Sequence, residues 1–314
     1  MIELSEAART LKKQSQVIIL THANPDGDTL GCGYAMMRAL KKLGIKAALL
    51  NSDKIPDKFG YMACENDAVD EETAFVLAVD VADPKLLGSL EEKFSGRVNL
   101  CVDHHGSNLM YAEETFVDSK AAAACEIVCK LIKLMGVQID EDTATCLYTG
   151  ISTDTGCFRY SNVTAETHTI AAELITLGAR HSFVNTLMFE TKSKAYFALE
   201  KLCLDGMKLC FNDKVAIIKL TSDMYKKSGA DESYADAISS IPRQVEGVKI
   251  GVTIKEKSEG EYKISLRTHE PYDAAAICKT LGGGGHARAA GCQISGSLEK
   301  AEAEIIKAIE KVII

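Results

Sequence analysis

The chain contains no tryptophan, and aromatic residues make up only 6% of its 314 residues. Platforms that stack many bases along a single strand are built from such rings, so an extended stacking track is not expected. Positive charge is also short: 36 Lys and Arg stand against 44 Asp and Glu, for a formal net charge of -8. Gripping long nucleic acid by counterion release needs a broad basic face. No contact with long duplex nucleic acid is expected, and a polyanionic ligand has to be held locally. No run approaches the roughly 18 consecutive apolar residues of a membrane span, and Met1-Ile2-Glu3-Leu4-Ser5-Glu6 lacks the basic and apolar regions of a signal peptide. The expected compartment is the cytoplasm, with no membrane partner. Closely paired cysteines are missing as well. The eleven cysteines are an odd number scattered through expected helices and strands, which reads as reduced thiols used as small hydrophobes. Cys125 and Cys129 lie one helical turn apart but lack the second close pair of a zinc site.

Hydrophobic content is 46% and mean hydropathy is near zero, so there is ample material for two cores. In the first half, short apolar runs alternate with helical patterns. Strands are expected at 17–21, 45–50, 74–79 and 98–102, and helices at 29–43, 121–135, 141–152 and 165–177, with Gly44 and Gly178 closing two of them. This alternation predicts an α/β fold with a mostly parallel sheet and helices on both faces. A charge-rich helical stretch over 189–205 reads as a connector. Beyond it, strands at 215–220, 248–254 and 262–267 and helices at 232–240, 273–281 and 298–312 predict a second, smaller α/β domain. The expected divisions are 1–188, 189–205 and 206–314.

Four apolar segments of the first domain end in acids or histidines. Val17–Thr21 runs into His22, Asp26 and Asp28; Phe75–Val79 into Asp80; Leu100–Val102 into Asp103, His104 and His105; Thr145–Ser152 into Asp154. In open α/β sheets, ligands bind beyond the carboxyl ends of strands, so one site can collect all four. Pro25 and Gly27 force a tight turn that lets His22, Asp26 and Asp28 converge. The alternative for this turn alone is an Asx-type loop in which Asp28 caps the next helix. Adjacent histidines taken alone are more often a surface turn or a satisfied core imidazole. Imidazole with carboxylates suits manganese, iron or cobalt better than magnesium. Two histidines and four carboxylates exceed what one cation needs, whereas two cations sharing a bridging carboxylate would use them. That arrangement serves phosphoester hydrolysis.

The segments His22-Ala-Asn-Pro-Asp26-Gly-Asp28, Val79-Asp80, Asp103-His104-His105 and Thr153-Asp154-Thr155-Gly156, in this order, resemble the four motifs of the DHH phosphoesterase superfamily. The stretch from Gly282 to Gly291, Gly-Gly-Gly-Gly-His-Ala-Arg-Ala-Ala-Gly, resembles the glycine-rich signature of the DHH-associated C-terminal domain. In length and domain pairing the chain is similar to the bacterial oligoribonucleases that double as phosphatases of 3′-phosphoadenosine 5′-phosphate. The resemblance implies that His22 and Asp26 hold one manganese, that Asp28, His104 and Asp154 hold another, and that Asp80 bridges both. It implies catalytic roles for Asp80 and for His105, the latter orienting a ligand or donating to a phosphate oxygen, with Asp103 as a buttress. It also implies short oligoribonucleotides or nucleoside bisphosphates as partners, and homodimers as a frequent state. Family II inorganic pyrophosphatases, RecJ-type exonucleases and non-catalytic nucleotide-binding modules are the alternatives. Val81-Ala82-Asp83-Pro84-Lys85 departs from the family pattern, in which an arginine often follows soon after this acid.

In the second domain, a glycine run is either a flexible linker or an anion-binding nest. His286 and Arg288 directly behind Gly284 and Gly285 favour the nest, and Arg267 at the end of its strand can fork onto a terminal phosphate. The resemblance places Arg267, His286 and Arg288 across a cleft from the metals. Arg159 either reaches the scissile phosphate or pairs at the surface. His168, His181 and His269 read as structural or solvent-facing.

Overall fold

The computed structural model describes residues 1–313. The chain divides into two compact units, Met1–Thr191 and Lys192–Ile314. Among the described residues, no helix is long and apolar enough to cross a membrane, and all eleven cysteines are free thiols.

The first unit is built on five parallel strands, β1 (Gln16–Leu20), β2 (Lys46–Leu50), β3 (Phe75–Val79), β4 (Leu100–Asp103) and β5 (Glu114–Val117), in the order β2-β1-β3-β4-β5. Its principal helices are α1 (Leu4–Lys12), α2 (Gly27–Lys42), α3 (Ala124–Leu134), α4 (Glu141–Asp154) and α5 (Ala165–Thr176). Successive side chains of a strand face opposite ways, so the continuous apolar run of β1 feeds two cores. Val17 and Ile19 join the core that includes Leu11, Met36, Leu40, Ile127 and Leu147. Ile18 and Leu20 join Val76, Ala78, Leu87, Phe94 and Cys101 on the other face. The long helices gather on the first face, while the short helical segments Pro84–Leu90 and Glu91–Phe94 cover the second.

Helix α1 and strand β5 are not among the elements expected from the sequence. In β5 only Thr115 is buried, so its Glu-Thr-Phe-Val pattern lacks the apolar run that announces the inner strands. Between β1 and β3 the strand order reverses, which opens the crevice where α/β sheets bind ligands. The turns after β1 and β3 carry His22, Asp26 and Asp80 to that reversal.

Helices α2 and α4 approach closely because glycines occupy their crossing. A Cβ on Gly31 would lie 2.5 Å from the Cys146 carbonyl oxygen, and one on Gly150 would lie 2.3 Å from Cys125 Sγ and 2.6 Å from Asp28 Oδ1.

Among the described residues, the second unit has six strands in the order β10-β11-β9-β8-β7-β6. They are β6 (Lys208–Cys210), β7 (Val215–Leu220), β8 (Ile250–Ser258), β9 (Glu261–Thr268), β10 (Gly284–His286) and β11 (Ala289–Ser295), and only β7 and β8 pair in parallel. Helix α6 (Lys194–Asp205), which falls in the expected connector, packs Tyr196, Leu199 and Cys203 against Ile218 and Leu220 of this unit. On the opposite face, α7 (Ala274–Lys279) and α8 (Leu298–Glu310) bring Ile277, Ile305 and Ile309 onto Val252, Ile264 and Leu266. The glycine run is not a linker but the β10–β11 hairpin. Glycine is a poor strand former, which hides the hairpin from the sequence. The close pairing demands it, since a Cβ on Gly283 would sit 2.2 Å from the Gly291 carbonyl oxygen and Gly285 has a φ of 142°.

Replacing Gly150 with Ala overpacks the α2–α4 crossing and is expected to cost about 1–3 kcal/mol. Gly96, with open space where its Cβ would go, is the control: Gly96→Ala is expected to leave the urea midpoint near wild type. Equal midpoints for both variants would contradict this packing.

Candidate metal centre

The site begins with two backbone turns. Asp26 caps α2, accepting from the N–H groups of Asp28 (2.9 Å) and Thr29 (3.1 Å). The N-cap is thus Asp26, and Asp28 lies inside the first turn, where it has no solvent exposure. Its carboxylate accepts from the N–H groups of Ala124 (2.6 Å) and Cys125 (2.9 Å) at the start of α3. A helix N-terminus favours an anion, so α3 positions Asp28. Asp80 follows β3 in a left-handed conformation, φ 58°, which costs energy and is concentrated at functional sites. Its N–H donates to the Val102 carbonyl (2.9 Å).

The two histidines are oriented by carbonyls. His22 Nδ1 lies 2.8 Å from Ala23 O, and His104 Nδ1 lies 3.2 Å from Ala121 O. A carbonyl only accepts, so each Nδ1 carries a proton and each Nε2 is the atom turned into the site. His22 Nε2 is 3.6 Å from both Asp26 Oδ1 and Asp80 Oδ2. His104 Nε2 is 3.4 Å from Asp154 Oδ2, 3.6 Å from Asp80 Oδ1 and 3.9 Å from Asp28 Oδ2. Asp80 therefore presents one oxygen to each histidine. Four overlapping groups of possible ligands result: His22–Asp26–Asp80, Asp28–His104–Asp154, Asp80–His104–His105 and Asp28–Cys32–Cys125.

Asp80 Oδ1 and His104 Nε2 are buried without any hydrogen-bond partner. Such orphans call for an ion, and nitrogen and carboxylate donors converging in a crevice fit a divalent transition metal. The protonation balance agrees. Burial, reinforced by the neighbouring Asp80 charge, pushes Asp28 up to about 7. Burial also pushes Asp80 and Asp154 up to about 7. Burial opposes charge on His22, but the nearby Asp26 and Asp80 carboxylates overcome it and hold the imidazole at about 11. These groups are poised for a cation to replace protons.

Asp103 and His105 adjoin this cluster, with His105 Nδ1 3.4 Å from Asp80 Oδ1. Fully buried Asp103 Oδ1 accepts from the N–H groups of His104 and His105 and from His105 Nδ1 (2.8 Å), while Asn108 Nδ2 donates to Oδ2 (2.7 Å). Burial resists ionisation of Asp103, yet the bonds from His105 and Asn108 keep it below the usual carboxylate range. In return Asp103 raises His105 to about 9. Asn108 and Asn51 go unmarked in the sequence; Asn51 Nδ2 donates to the His22 carbonyl (2.7 Å). Isolated asparagines carry no pattern that reveals such bonds.

Arg159 braces its own loop: Nε donates to Gly156 O (2.6 Å) and the guanidinium lies 5.9 Å from the Phe189 ring centre. In the second unit, Arg267, Gly284 and Gly285 line one groove with Lys263, Ser265 and Gly291. His286 lies exposed in the same hairpin. Arg288 is engaged by other groups, since it donates to Tyr272 O (2.6 Å) and pairs with Glu270 (2.8 Å). Lys263, unremarked in the sequence, adds a cation to the groove.

A parallel sheet with acids and histidines in overlapping groups, followed by a glycine-hairpin domain, defines a class. Residues 16–151 match the DHH family N-terminal domain and residues 212–314 match the DHHA1 domain. The chain belongs to the DHH family of phosphoesterases. It is 34% identical over 307 residues to the bifunctional oligoribonuclease and PAP phosphatase NrnA of Thermus thermophilus, covering 95% of this chain and 90% of that protein. It is 26% identical over 286 residues to the probable bifunctional oligoribonuclease and PAP phosphatase NrnA of Streptococcus mutans, covering 90% of each. The crystal structure of an exopolyphosphatase-related protein from Bacteroides fragilis shares the fold with a TM-score of 0.86 at 23% identity, over 98% of this chain and 95% of that one.

The raised groups set a pH dependence. Carboxylates at about 7 when folded, against an ordinary 3.8, bind more protons folded than unfolded between those values, so stability without metal falls as pH rises through that window. His22, at about 11 against 6.5, stabilises fully below 6.5 and loses that contribution as pH rises toward 11, in the same direction. Metal binding releases protons. The melting temperature in EDTA is expected to fall from about pH 5.5 to about pH 8, and the increase on adding manganese to grow over the same range. An increase that shrinks with pH would overturn the ligand assignment.

Proposed function

We propose that this chain is a manganese-dependent phosphoesterase that cuts oligoribonucleotides of about two to five nucleotides to mononucleotides and converts 3′-phosphoadenosine 5′-phosphate to AMP. The observation that carries this reading is Asp80, with one oxygen toward His22 and the other toward His104. A carboxylate so placed suits a pair of cations. Support for the substrate class comes from relatives whose names state both activities and which align across 90–95% of the chain.

In this reading His22 and Asp26 would hold one ion and Asp28, His104 and Asp154 the other, with Asp80 available to either. Such a pair, when bound, lowers the pKa of water and offsets charge on the attacked phosphoryl group. Mixed nitrogen and oxygen donors favour manganese over magnesium. His105, held by Asp103 and raised to about 9, is an imidazolium at neutral pH. Its Nε2–H is left to donate to a phosphate oxygen as charge develops there. In the second unit, Arg267 supplies a guanidinium fork for another phosphate, and the hairpin glycines let that phosphate approach the backbone.

The test is release of mononucleotides from 5′-phosphorylated RNAs of two to about twenty-four nucleotides, with 3′-phosphoadenosine 5′-phosphate alongside. Turnover is expected to need manganese and to favour the shortest RNAs. Asp80→Ala and His104→Ala are expected to lower kcat by at least about 100-fold while retaining the far-UV circular dichroism of the wild type. Equal activity on long strands would overturn the length preference, and wild-type rates for Asp80→Ala in chelated, manganese-resupplied buffer would overturn the site. Arg267→Ala removes a charged hydrogen-bond donor and is expected to raise KM about tenfold or more, with a smaller change in kcat. An unchanged KM would remove Arg267 from the substrate site.

A further inference from the structure

Directly after Asp154 the backbone enters a conformation that L residues avoid. Gly156, Cys157 and Phe158 have φ of 56°, 59° and 60°. One left-handed glycine is ordinary, but consecutive left-handed residues bearing a Cβ are disfavoured and persist only where surroundings over-determine them. Here they are over-determined. Cys157 N–H donates to Ser152 O (2.7 Å), Phe158 N–H to Thr155 Oγ1 (3.1 Å), and the Arg159 and Tyr160 N–H groups to Thr155 O (2.9 and 3.1 Å). Phe158 is stacked on His168 with ring centres 5.4 Å apart. Asn162 Nδ2 then ties the loop back to Asp154 O (3.2 Å) and Ala122 O (3.0 Å).

The turn displays Tyr160. A Cβ built on Gly156 would meet Cζ, Cε1 and Cε2 of Tyr160 at 2.3, 2.5 and 2.6 Å. These three ring carbons are nearer than the hydroxyl oxygen, so Gly156 lies against a face of the ring and not its tip. Tyr160 is nevertheless 58% exposed. Phe183, the other strongly exposed ring of this unit, is already engaged, 5.1 Å from Tyr61 and 5.3 Å from the Arg180 guanidinium. Tyr160 has no ring or cation partner of this kind among the described residues.

We infer that Tyr160 is a nucleobase platform, on which a base next to the phosphate being cut stacks its face. The inference rests on the proposed oligoribonuclease reading and deepens it. One face of the ring is backed by Gly156, and the loop that carries it is anchored to the backbone of Asp154. Stacking accepts any base, because every base has a π-face, which suits an enzyme that must degrade short RNA of any sequence. Holding the ring in advance by the left-handed turn lowers the ordering cost of binding.

The test compares kcat/KM for a dinucleotide with kcat/KM for dinucleotides made abasic at either position. Tyr160→Ala is expected to lower the ratio of base-bearing to abasic substrate about tenfold, and Tyr160→Phe to restore it. A ratio unchanged in Tyr160→Ala would overturn the inference. As a readout independent of turnover, a 2-aminopurine dinucleotide is bound in calcium buffer. Its fluorescence is expected to be quenched by the wild type and by Tyr160→Phe but not by Tyr160→Ala; absent wild-type quenching, or equal quenching by Tyr160→Ala, would overturn it. A wild type that turns over none of these substrates defeats the proposed function, and the quenching still decides the role of Tyr160.

Discussion

A carboxylate with no contact with solvent is costly unless something pairs with it, and Asp28 is such a group. The structure around the site can be understood as the means of keeping it there. Helix α3 offers its first N–H groups to both oxygens, and Gly150 of α4 leaves room for the carboxylate. Cys32 and Cys125 close the pocket behind it, their sulfurs 3.4 Å apart. This single side chain thereby ties α2 to α3 and fits the space that α4 leaves at Gly150. Two backbone dipoles do not neutralise the collection of Asp28, Asp80 and Asp154, however, and the raised protonation of all three without metal expresses that imbalance.

The remaining polar groups divide by what fixes them. His22 and His104 are held by main-chain carbonyls, which set the tautomer without adding charge. His105 is held by a buried carboxylate, which adds charge and raises its basicity. Adjacent imidazoles are thus fixed by different partners: His104 Nδ1 faces a neutral carbonyl, whereas His105 Nδ1 faces a carboxylate. Their ring centres are only 4.4 Å apart, so the distinction comes from hydrogen-bond partners and not from distance.

Much of this is legible in the order of residues. Inner strands such as β1 and β3 announce themselves by unbroken apolar runs, and the acids and histidines that follow them stand where a parallel sheet delivers side chains to one edge. What is not legible depends on contacts distant in sequence. The capping role falls to Asp26 because Asp28 is drawn to the start of α3 at Ala124 and Cys125. The glycine hairpin is obscured because its reason for glycine is the close approach of β11 and not flexibility. Arg288 looks available in the sequence, whereas Glu270 and Tyr272 engage it in the fold. Tyr160 looks ordinary there too, and only Gly156 gives its ring a seat.

The side chains gathered around Asp80 come from positions as far apart as His22 and Asp154, and even the amino-terminal segment is stitched to β5 through the Ile2 N–H and the Thr115 carbonyl. A centre assembled from such distant stretches rests on non-local contacts, whose loop-closure entropy must be met before they stabilise anything. During synthesis, a growing chain lacks the complete set until α4 has emerged from the ribosome and docked. No partly made chain therefore carries the assembled centre, and whatever chemistry it performs is withheld until translation has passed Asp154.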